Sequence, residues 1–210
     1  MKCAREAVML MLRMAQSSPR SAKSGESFLE GKILIAMPGM PDPRFEKSVI
    51  FMCAHSAEGA MGLIINKPID GLLFGELVDK LGIGMKAGRN DAPILFGGPV
   101  QMGRGFVLHS ADYASDEATL SLTPEISLTA TVDILRAIAE GRGPAKAVLA
   151  LGYAGWGEGQ IEAEILANGW IHCDADAGLV FDTDYKSRWQ KAFASLGADI
   201  SGLSAEAGRA

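Results

Sequence analysis

The sequence predicts a single α+β domain, and three observations support this. Short apolar runs typical of strands dominate the first half, helices with one apolar face follow later, and glycine-rich turns separate them. A doubly wound α/β sheet would instead alternate strands and helices from the start. The 210 residues suffice for one sizeable core, and a composition of 48% hydrophobic and 21% charged residues is that of an ordinary globular domain.

The first predicted elements are strands. Residues 32–37 (KILIAM) form a continuous apolar run, which is typical of a strand buried on both faces. Three prolines then predict an irregular loop over residues 38–45. Residues 48–54 and 60–66 flank the turn HSAEG, so they predict a hairpin with Gly59 in its turn. Shorter apolar or alternating runs predict further strands at residues 93–96, 105–109, 118–122 and 147–151.

Two helices are predicted in the middle of the chain. Residues 74–81 form a short helix that Gly82 ends. Residues 131–140 (TVDILRAIAE) form a clearer one, which ends at Gly141. Its predicted buried face consists of Val132, Leu135, Ile138 and Ala139.

A third helix is predicted near the C-terminus, over residues 185–196. Its apolar stripe consists of Tyr185, Trp189, Phe193 and Leu196, with Lys186, Arg188 and Lys191 mostly on other faces. We expect Asp182 or Thr183 to cap this helix and Gly197 to end it.

The most informative stretch is residues 151–170 (LGYAGWGEGQIEAEILANGW). Four glycines and Trp156 predict a tight loop that leads into a short helix, which ends at Asn168-Gly169. A loop so rich in glycine either packs its backbone very closely or leaves room for a ligand. Glu158, Glu162 and Glu164 stabilise the helix through its N-terminal dipole, with a carboxylate pair for acid–base chemistry as the alternative.

Charge and cysteine content exclude several classes of function. The net charge is −5, but the first 24 residues have a net charge of +4, so the remainder has −9. An acidic body repels phosphate backbones, which argues against direct nucleic-acid binding. Three scattered cysteines predict free, mostly buried thiols in a reducing cytoplasm, and no apolar run is long enough to span a membrane. We expect a flexible N-terminal extension (residues 1–25), one domain (26–200) and a flexible tail (201–210).

Catalytic, cofactor and metal signatures are absent from the sequence. It contains no GxSxG elbow, no GxxxxGK[ST] phosphate loop, no HExxH and no GxGxxG fingerprint. Cys53 and His55 are two residues apart, but paired His and Cys of this kind are more typical of packing than of a zinc site. Ser56 and Ser110 each follow a histidine, and we expect turn hydrogen bonds from them rather than a catalytic triad. The sequence thus predicts no cofactor and no metal.

Three long segments together resemble the YqgE/AlgH family of bacterial proteins. They are residues 31–68 (GKILIAMPGMPDPRFEKSVIFMCAHSAEGAMGLIINKP), 95–109 (LFGGPVQMGRGFVLH) and 151–171 (LGYAGWGEGQIEAEILANGWI). The resemblance implies an α+β fold in which a mixed, bifurcated sheet curls into a pseudo-barrel with helices packed against it. It also implies a cytoplasmic protein, with a link in one branch to transcriptional control of alginate production, and it supplies no agreed catalytic residues.

These observations predict a non-catalytic binding or regulatory protein with a protein or small-molecule partner. Its groove would lie between the proline loop, the Gly97–Pro99 turn and the GWGEGQ stretch, with Trp156 as one wall. The candidate binding residues are Pro38, Phe45, Ser48, Asn66, Gly97, Gly98, Trp156, Gln160 and Glu164. The alternative is a hydrolase-like enzyme that uses Ser48, His55, Glu162 or Glu164 in the same groove.

Overall fold

A computed structural model describes residues 28–86, 91–115 and 118–197. The predicted extension (residues 1–25) and tail (residues 201–210) lie outside these residues. The strands are β1 (Lys32–Ala36), β2 (Val49–Ser56), β3 (Gly59–Ile64), β4 (Pro68–Leu73), β5 (Pro93–Phe96), β6 (Val100–Ser110), β7 (Thr119–Ser121), β8 (Ile126–Thr129), β9 (Ala147–Gly157) and β10 (Trp170–Asp174). The helices are α1 (Phe74–Lys80), α2 (Val132–Ala139), α3 (Gln160–Leu166) and α4 (Tyr185–Ser195), with a π-helical turn at Gly178–Asp182.

The strands form one curled, branched sheet. Its main path runs in the order β10-β1-β2-β3-β9-β6-β8-β7, and β5 joins the side of β9 in parallel, with β4 paired to β5. All the other pairings are antiparallel. The predicted bifurcated α+β sheet with helices packed against it is therefore confirmed.

The sheet branches within β9, at Gly152. Up to Leu151 β9 pairs with β6 and β5, Tyr153 pairs once more with Val100 at the start of β6, and residues Ala154–Gly157 pair with β3. Gly152 has φ of +72°, a conformation that costs glycine far less than other residues, so the strand changes direction here. The predicted loop at residues 152–157 is wrong, because the backbone continues as a strand through Gly157 and turns only at Glu158-Gly159.

Three apolar layers hold the elements together. The inner layer lies inside the curled sheet and includes Phe51, Phe106, Trp189 and Phe193, so α4 packs against the concave side. A second layer lies under α3 and the proline loop, and a third lies under α1 and α2. Alternate residues of β1 contribute to the first and second layers, which confirms that this strand is buried on both faces.

The structure corrects two predicted helix faces. In α2, Ile134 is fully buried whereas Val132 is 47% exposed, so the buried face begins two residues later than predicted. In α4 the stripe of Trp189 and Phe193 is confirmed, but Arg188, beside it, is also buried. Arg188 is three residues after Tyr185 and one before Trp189, both of which belong to the stripe. The 3.6-residue period of the helix therefore puts Arg188 beside the stripe.

Helix ends follow local chemistry. The side chain of Asp184, rather than Asp182 or Thr183, caps α4 by accepting hydrogen bonds from the backbone N–H groups of Lys186 and Ser187. The predicted stops are confirmed, because glycines with positive φ follow α1, α2 and α4. They are Gly82, Gly141 and Gly197.

Candidate functional site

One carboxylate joins the two ends of the glycine-rich stretch. Oε2 of Glu164 accepts hydrogen bonds from both indole N–H groups, at 2.9 Å from Trp156 Nε1 and 2.8 Å from Trp170 Nε1. Its Oε1 accepts a bond from Gln160 Nε2 at 2.8 Å. Gln160 Oε1 in turn accepts the backbone N–H of Gly157 at 3.0 Å. We call Trp156, Gln160, Glu164 and Trp170 the indole clamp.

Secondary structure fixes the geometry of the indole clamp. Gln160 and Glu164 are four residues apart on α3, so they lie on the same side of the helix. Trp156 near the end of β9 and Trp170 at the start of β10 lie on the strands that precede and follow α3 in the chain, with ring centroids 6.0 Å apart at 82°. Both indoles are buried and their N–H donors bond to an anionic acceptor, which is a strong class of hydrogen bond. The clamp therefore ties α3 to both strands.

The proline loop packs against this clamp. The ring of Phe45 meets Trp170 edge-on at 5.7 Å, and the Arg44 guanidinium lies 5.8 Å from the Phe45 centroid. At the start of the loop, the N–H of Met37, beside the half-buried Pro38, donates to Gly169 O at 3.0 Å. Both ends of the loop thus lie next to the segment that links α3 to β10.

Ser48 and Asn66 lie beneath the end of the loop. The Asn66 side chain accepts the N–H of Val49 at 2.8 Å and donates to Lys47 O at 2.8 Å, so both of its polar ends bind backbone. Ser48 is fully buried, and its hydroxyl has no hydrogen-bond partner among the described residues. Asn66 therefore fastens the loop to the start of β2.

Gly97 and Gly98 allow β5 to approach β9 closely. A Cβ on Gly97 would lie 2.3 Å from Gly152 O, and a Cβ on Gly98 would lie 2.1 Å from the carbonyl carbon of Tyr153. Real Cβ atoms essentially never come this close to backbone atoms. Glycine-rich segments were expected either to pack their backbone closely or to leave room for a ligand. Close backbone packing applies at Gly97, Gly98 and Gly152.

The structure thus brings part of the predicted set together. Phe45, Trp156, Gln160 and Glu164 form one contact group, with Pro38 at its margin. The remaining four are outside this group: Ser48 and Asn66 lie at the end of the proline loop, and Gly97 and Gly98 pack against β9. Neither of the two cavities found near β6 and α1 is lined by any of the nine residues, and a groove among them stays a prediction.

His55 forms a separate contact with α3. Its Nδ1 accepts the backbone N–H of Leu29 at 3.0 Å, which leaves Nε2 as the protonated nitrogen. Nε2 lies 2.8 Å from Glu162 Oε1 and therefore donates to it. Both ring nitrogens are thus occupied, and the contact links β2, α3 and the segment before β1.

The alternative catalytic set does not assemble. Ser48 and His55 lie at opposite ends of β2, and seven extended residues span about 23 Å at ~3.3 Å each. Ser56 accepts the N–H of Glu58, and Ser110 donates to Asp112 Oδ1, so the predicted turn hydrogen bonds are confirmed. In residues 28–86, 91–115 and 118–197, no three side chains of His, Cys, Asp or Glu are grouped to hold a metal ion.

A second histidine lies in a buried chain of hydrogen bonds. His109 Nδ1 donates to Ser110 O at 2.8 Å, and its Nε2 accepts from the Thr129 hydroxyl at 2.9 Å. Thr129 Oγ1 accepts from Thr119 Oγ1, 2.8 Å away, because the Thr129 proton is already donated. Burial lowers the pKa of His109, which keeps the imidazole neutral.

The most deeply buried charge was missed by the sequence analysis. Arg188 donates to the backbone oxygens of Ile65 and Thr183, and its guanidinium lies 4.8 Å from the Tyr185 centroid. Burial lowers its pKa to about 10. Its position beside the apolar stripe of α4, three residues after Tyr185, was the available signal. Burial also raises the pKa of the Cys53 thiol, which, like that of Cys173, forms no disulfide.

Comparisons with known proteins agree with this fold. The α+β chain matches the model of the AlgH-like family over residues 33–201, and it belongs to that family. A UPF0301 protein of Bradyrhizobium diazoefficiens is 52% identical over 202 residues, which cover 93% of this chain and 94% of that protein. A UPF0301 protein of a Jannaschia species is 55% identical over 183 residues, covering 87% and 95% of the two chains.

Solved structures show the same architecture. The solution structure of the AlgH protein from Pseudomonas aeruginosa matches with a TM-score of 0.69 and 41% identity, covering 90% of this chain and all of that one. A Corynebacterium diphtheriae protein matches with a TM-score of 0.69 at 16% identity, over 87% and 94% of the chains, and shows the fold alone. The described part of this chain contains no helix long and apolar enough to cross a membrane.

Proposed function

We propose that this protein works by non-catalytic binding of a protein partner in the bacterial cytoplasm. The contact surface would be the outer face of α3 together with the adjoining proline loop. The observation that supports this most directly is the indole clamp, in which Glu164 receives three hydrogen bonds. Its polar groups bond to one another, so they hold a surface in place and leave no base or nucleophile poised for catalysis.

The outer face of α3 supports binding because apolar side chains are exposed on it. Leu166 is 84% exposed, the highest value among the exposed large hydrophobic residues of the described chain. Ala163, three residues earlier, is also exposed and lies on the same side of the helix. An exposed leucine on a rigidly held helix is a common anchor in helix-based protein contacts.

The acidic body and free thiols support the remaining parts of the proposal. A net charge of −9 after residue 24 opposes a DNA backbone, so any regulatory role would act through a protein contact rather than through DNA. Cys53 and Cys173 are unpaired, as expected in a reducing cytoplasm.

Site-specific crosslinking tests this proposal. We would place the photo-crosslinker benzoylphenylalanine at Leu166 in cells of the native bacterium and at Leu81 as the control, because Leu81 is 48% exposed after α1. We expect a discrete adduct of higher mass from position 166 and none from position 81. Adding Ala163→Arg should remove the adduct while leaving the circular dichroism spectrum unchanged. The proposal is wrong if position 166 gives no adduct or if both positions give the same ones.

A further inference from the structure

The described chain begins beside α3. The ring of Phe28, the first described residue, meets the His55 imidazole edge-on at 5.4 Å. The next residue, Leu29, donates its N–H to Nδ1 of the same imidazole at 3.0 Å, and Nε2 donates to Glu162 in the first turn of α3. The 27 residues that precede Phe28 in the sequence are therefore joined to the domain next to the start of this helix.

The outer face of α3 leads from this point to an exposed leucine. Glu162 and Ala163 are exposed and lie four and three residues before Leu166, so the three side chains share one side of the helix. Four helical residues advance about 6 Å along the axis. The 84% exposed side chain of Leu166 therefore lies a short distance from the point at which the described chain begins.

Charge distinguishes Leu166 from the other exposed large hydrophobic residues. Each of those three has a basic residue close by in sequence: Leu81 follows Lys80, Met102 is two residues before Arg104, and Val132 is four residues before Arg136. Residues 151–171, by contrast, contain no Lys or Arg. Glu158 and Glu162 are exposed at the start of α3, and the exposed Glu58 precedes Gly59, which pairs with Gly157. This surface therefore suits an occupant that is both apolar and basic.

The chain itself contains such a segment before Phe28. Residues 7–12 (AVMLML) form a continuous apolar run between Arg5 and Arg13, and the first 24 residues have a net charge of +4. Residues 13–27 connect this run to Phe28, and at ~3.3–3.6 Å per residue they can span up to about 50 Å. The seven residues of α3 extend only about 10 Å, so the run can reach any part of the helix. A linked segment has an effective concentration of about millimolar, so a small contact suffices to hold it.

We propose that residues 5–13 dock on the outer face of α3. Residues 7–12 would pack against Ala163 and Leu166, and the two arginines would lie beside the exposed glutamates at the start of the helix. This contact is a property of the chain alone. Its consequence, that the segment competes with a protein partner for Leu166, rests on the proposed function.

Photo-crosslinking of the purified full-length protein tests the contact. Benzoylphenylalanine replaces Leu166, or Leu81 as the control, in an equal mixture of ¹⁵N-labelled and unlabelled protein, and mass spectrometry identifies the linked peptides. We expect position 166 to link to residues 7–12 with the same isotope label in both peptides, and position 81 to give no such link. Links between labelled and unlabelled peptides would assign the surface to a second copy and refute the proposal, as would the absence of any link to residues 5–13.

Charge variants outside the folded domain provide the matched pair. Arg5→Glu with Arg13→Glu should lower the yield of the internal link at least fivefold and shift the amide resonances of Ala163 and Leu166. Arg5→Lys with Arg13→Lys retains both charges and should leave the yield and the resonances nearly unchanged. Equal yields from the two pairs would refute the role of charge in the docking.

The same variants in cells of the native bacterium separate this inference from the proposed function. The glutamate pair should give at least twice as much partner adduct from position 166 as the lysine pair, because the competing segment is released. An internal link without any partner adduct would refute the proposed function and retain the docking. A partner adduct without an internal link would refute the docking and retain the proposed function. Equal amounts of partner adduct from the two pairs would refute the competition.

Discussion

Removing the carboxylate of Glu164 should destabilise the protein strongly, because two buried donors then lose their acceptor. Trp156 and Trp170 are only 7% and 3% exposed, so water reaches their N–H groups poorly. An unsatisfied buried donor costs ~1–3 kcal/mol. Since Glu164 itself is only half-buried, the lower part of that range applies, and two donors give about 3 kcal/mol for Glu164→Ala. Glu164→Gln keeps one acceptor oxygen and should cost about half as much.

Urea unfolding at pH 7, followed by far-UV circular dichroism, measures this cost without depending on tryptophan fluorescence. Glu158→Ala is the control, since Glu158 is exposed on the turn before α3, and we expect it to change the free energy of unfolding by less than ~0.5 kcal/mol. Indole proton resonances give a second measurement. Those of Trp156 and Trp170 should move in Glu164→Ala, whereas that of Trp189, which donates to Ala36 O, should not. A loss below 1 kcal/mol with unmoved resonances would refute the reasoning.

Two further predictions concern the packing of β9 and the buried histidine. Gly98→Ala should lower the free energy of unfolding in urea by more than ~3 kcal/mol, because its Cβ would lie 2.1 Å from the Tyr153 carbonyl carbon. Gly103→Ala should change the free energy of unfolding by less than ~0.5 kcal/mol. Equal losses for the two variants would contradict the packing argument. His109 should titrate below its ordinary pKa of about 6.5, as measured by its imidazole proton resonances. As pH falls, His109 of the unfolded chain is protonated before His109 of the folded chain. The contribution of the neutral His109 to stability is therefore complete above pH 6.5 and decreases as pH falls towards the lowered pKa. A midpoint at or above 6.5 would contradict this.

Much of the fold follows from local sequence. Continuous apolar runs predicted β1, β5 and the β2–β3 hairpin, and glycine stops predicted the ends of three helices. These signals succeed because burial on both faces and positive φ are properties of a few adjacent residues. The strand β4, by contrast, begins with a proline and has no buried residue, so it lacks the apolar alternation by which strands are found.

The extension of β9 through Gly157 was not predictable in this way. Glycines weaken a strand when side chains must pack, and the density of glycine in residues 152–159 therefore suggested a loop. Here the space next to Gly152 is filled by the backbone of Gly98, a residue 54 positions earlier in the chain. Such a contact is visible only after the two segments have been brought together.

The candidate site was predicted by residue but not by arrangement. The sequence pointed to Trp156, Gln160 and Glu164, and the i, i+4 spacing placed the last two on one face of a helix. The Glu164 carboxylate accepts hydrogen bonds from both indoles only because β10 pairs with β1, and local periodicity does not specify that pairing. Trp170 was missed for the same reason.

Glycines have two distinct roles in this chain, and the difference bears on where recognition takes place. At Gly97 and Gly98 neighbouring backbone occupies the volume of a side chain, so these residues are needed to form the sheet. At Gly103 and Gly105 that volume is open or in ordinary contact, so these residues leave space within the sheet already formed. The indole clamp fixes the position of α3 and thereby of Leu166. In the proposed protein contact, therefore, the motif residues hold α3 in place, and the side chain that would meet a partner, Leu166, lies beside them.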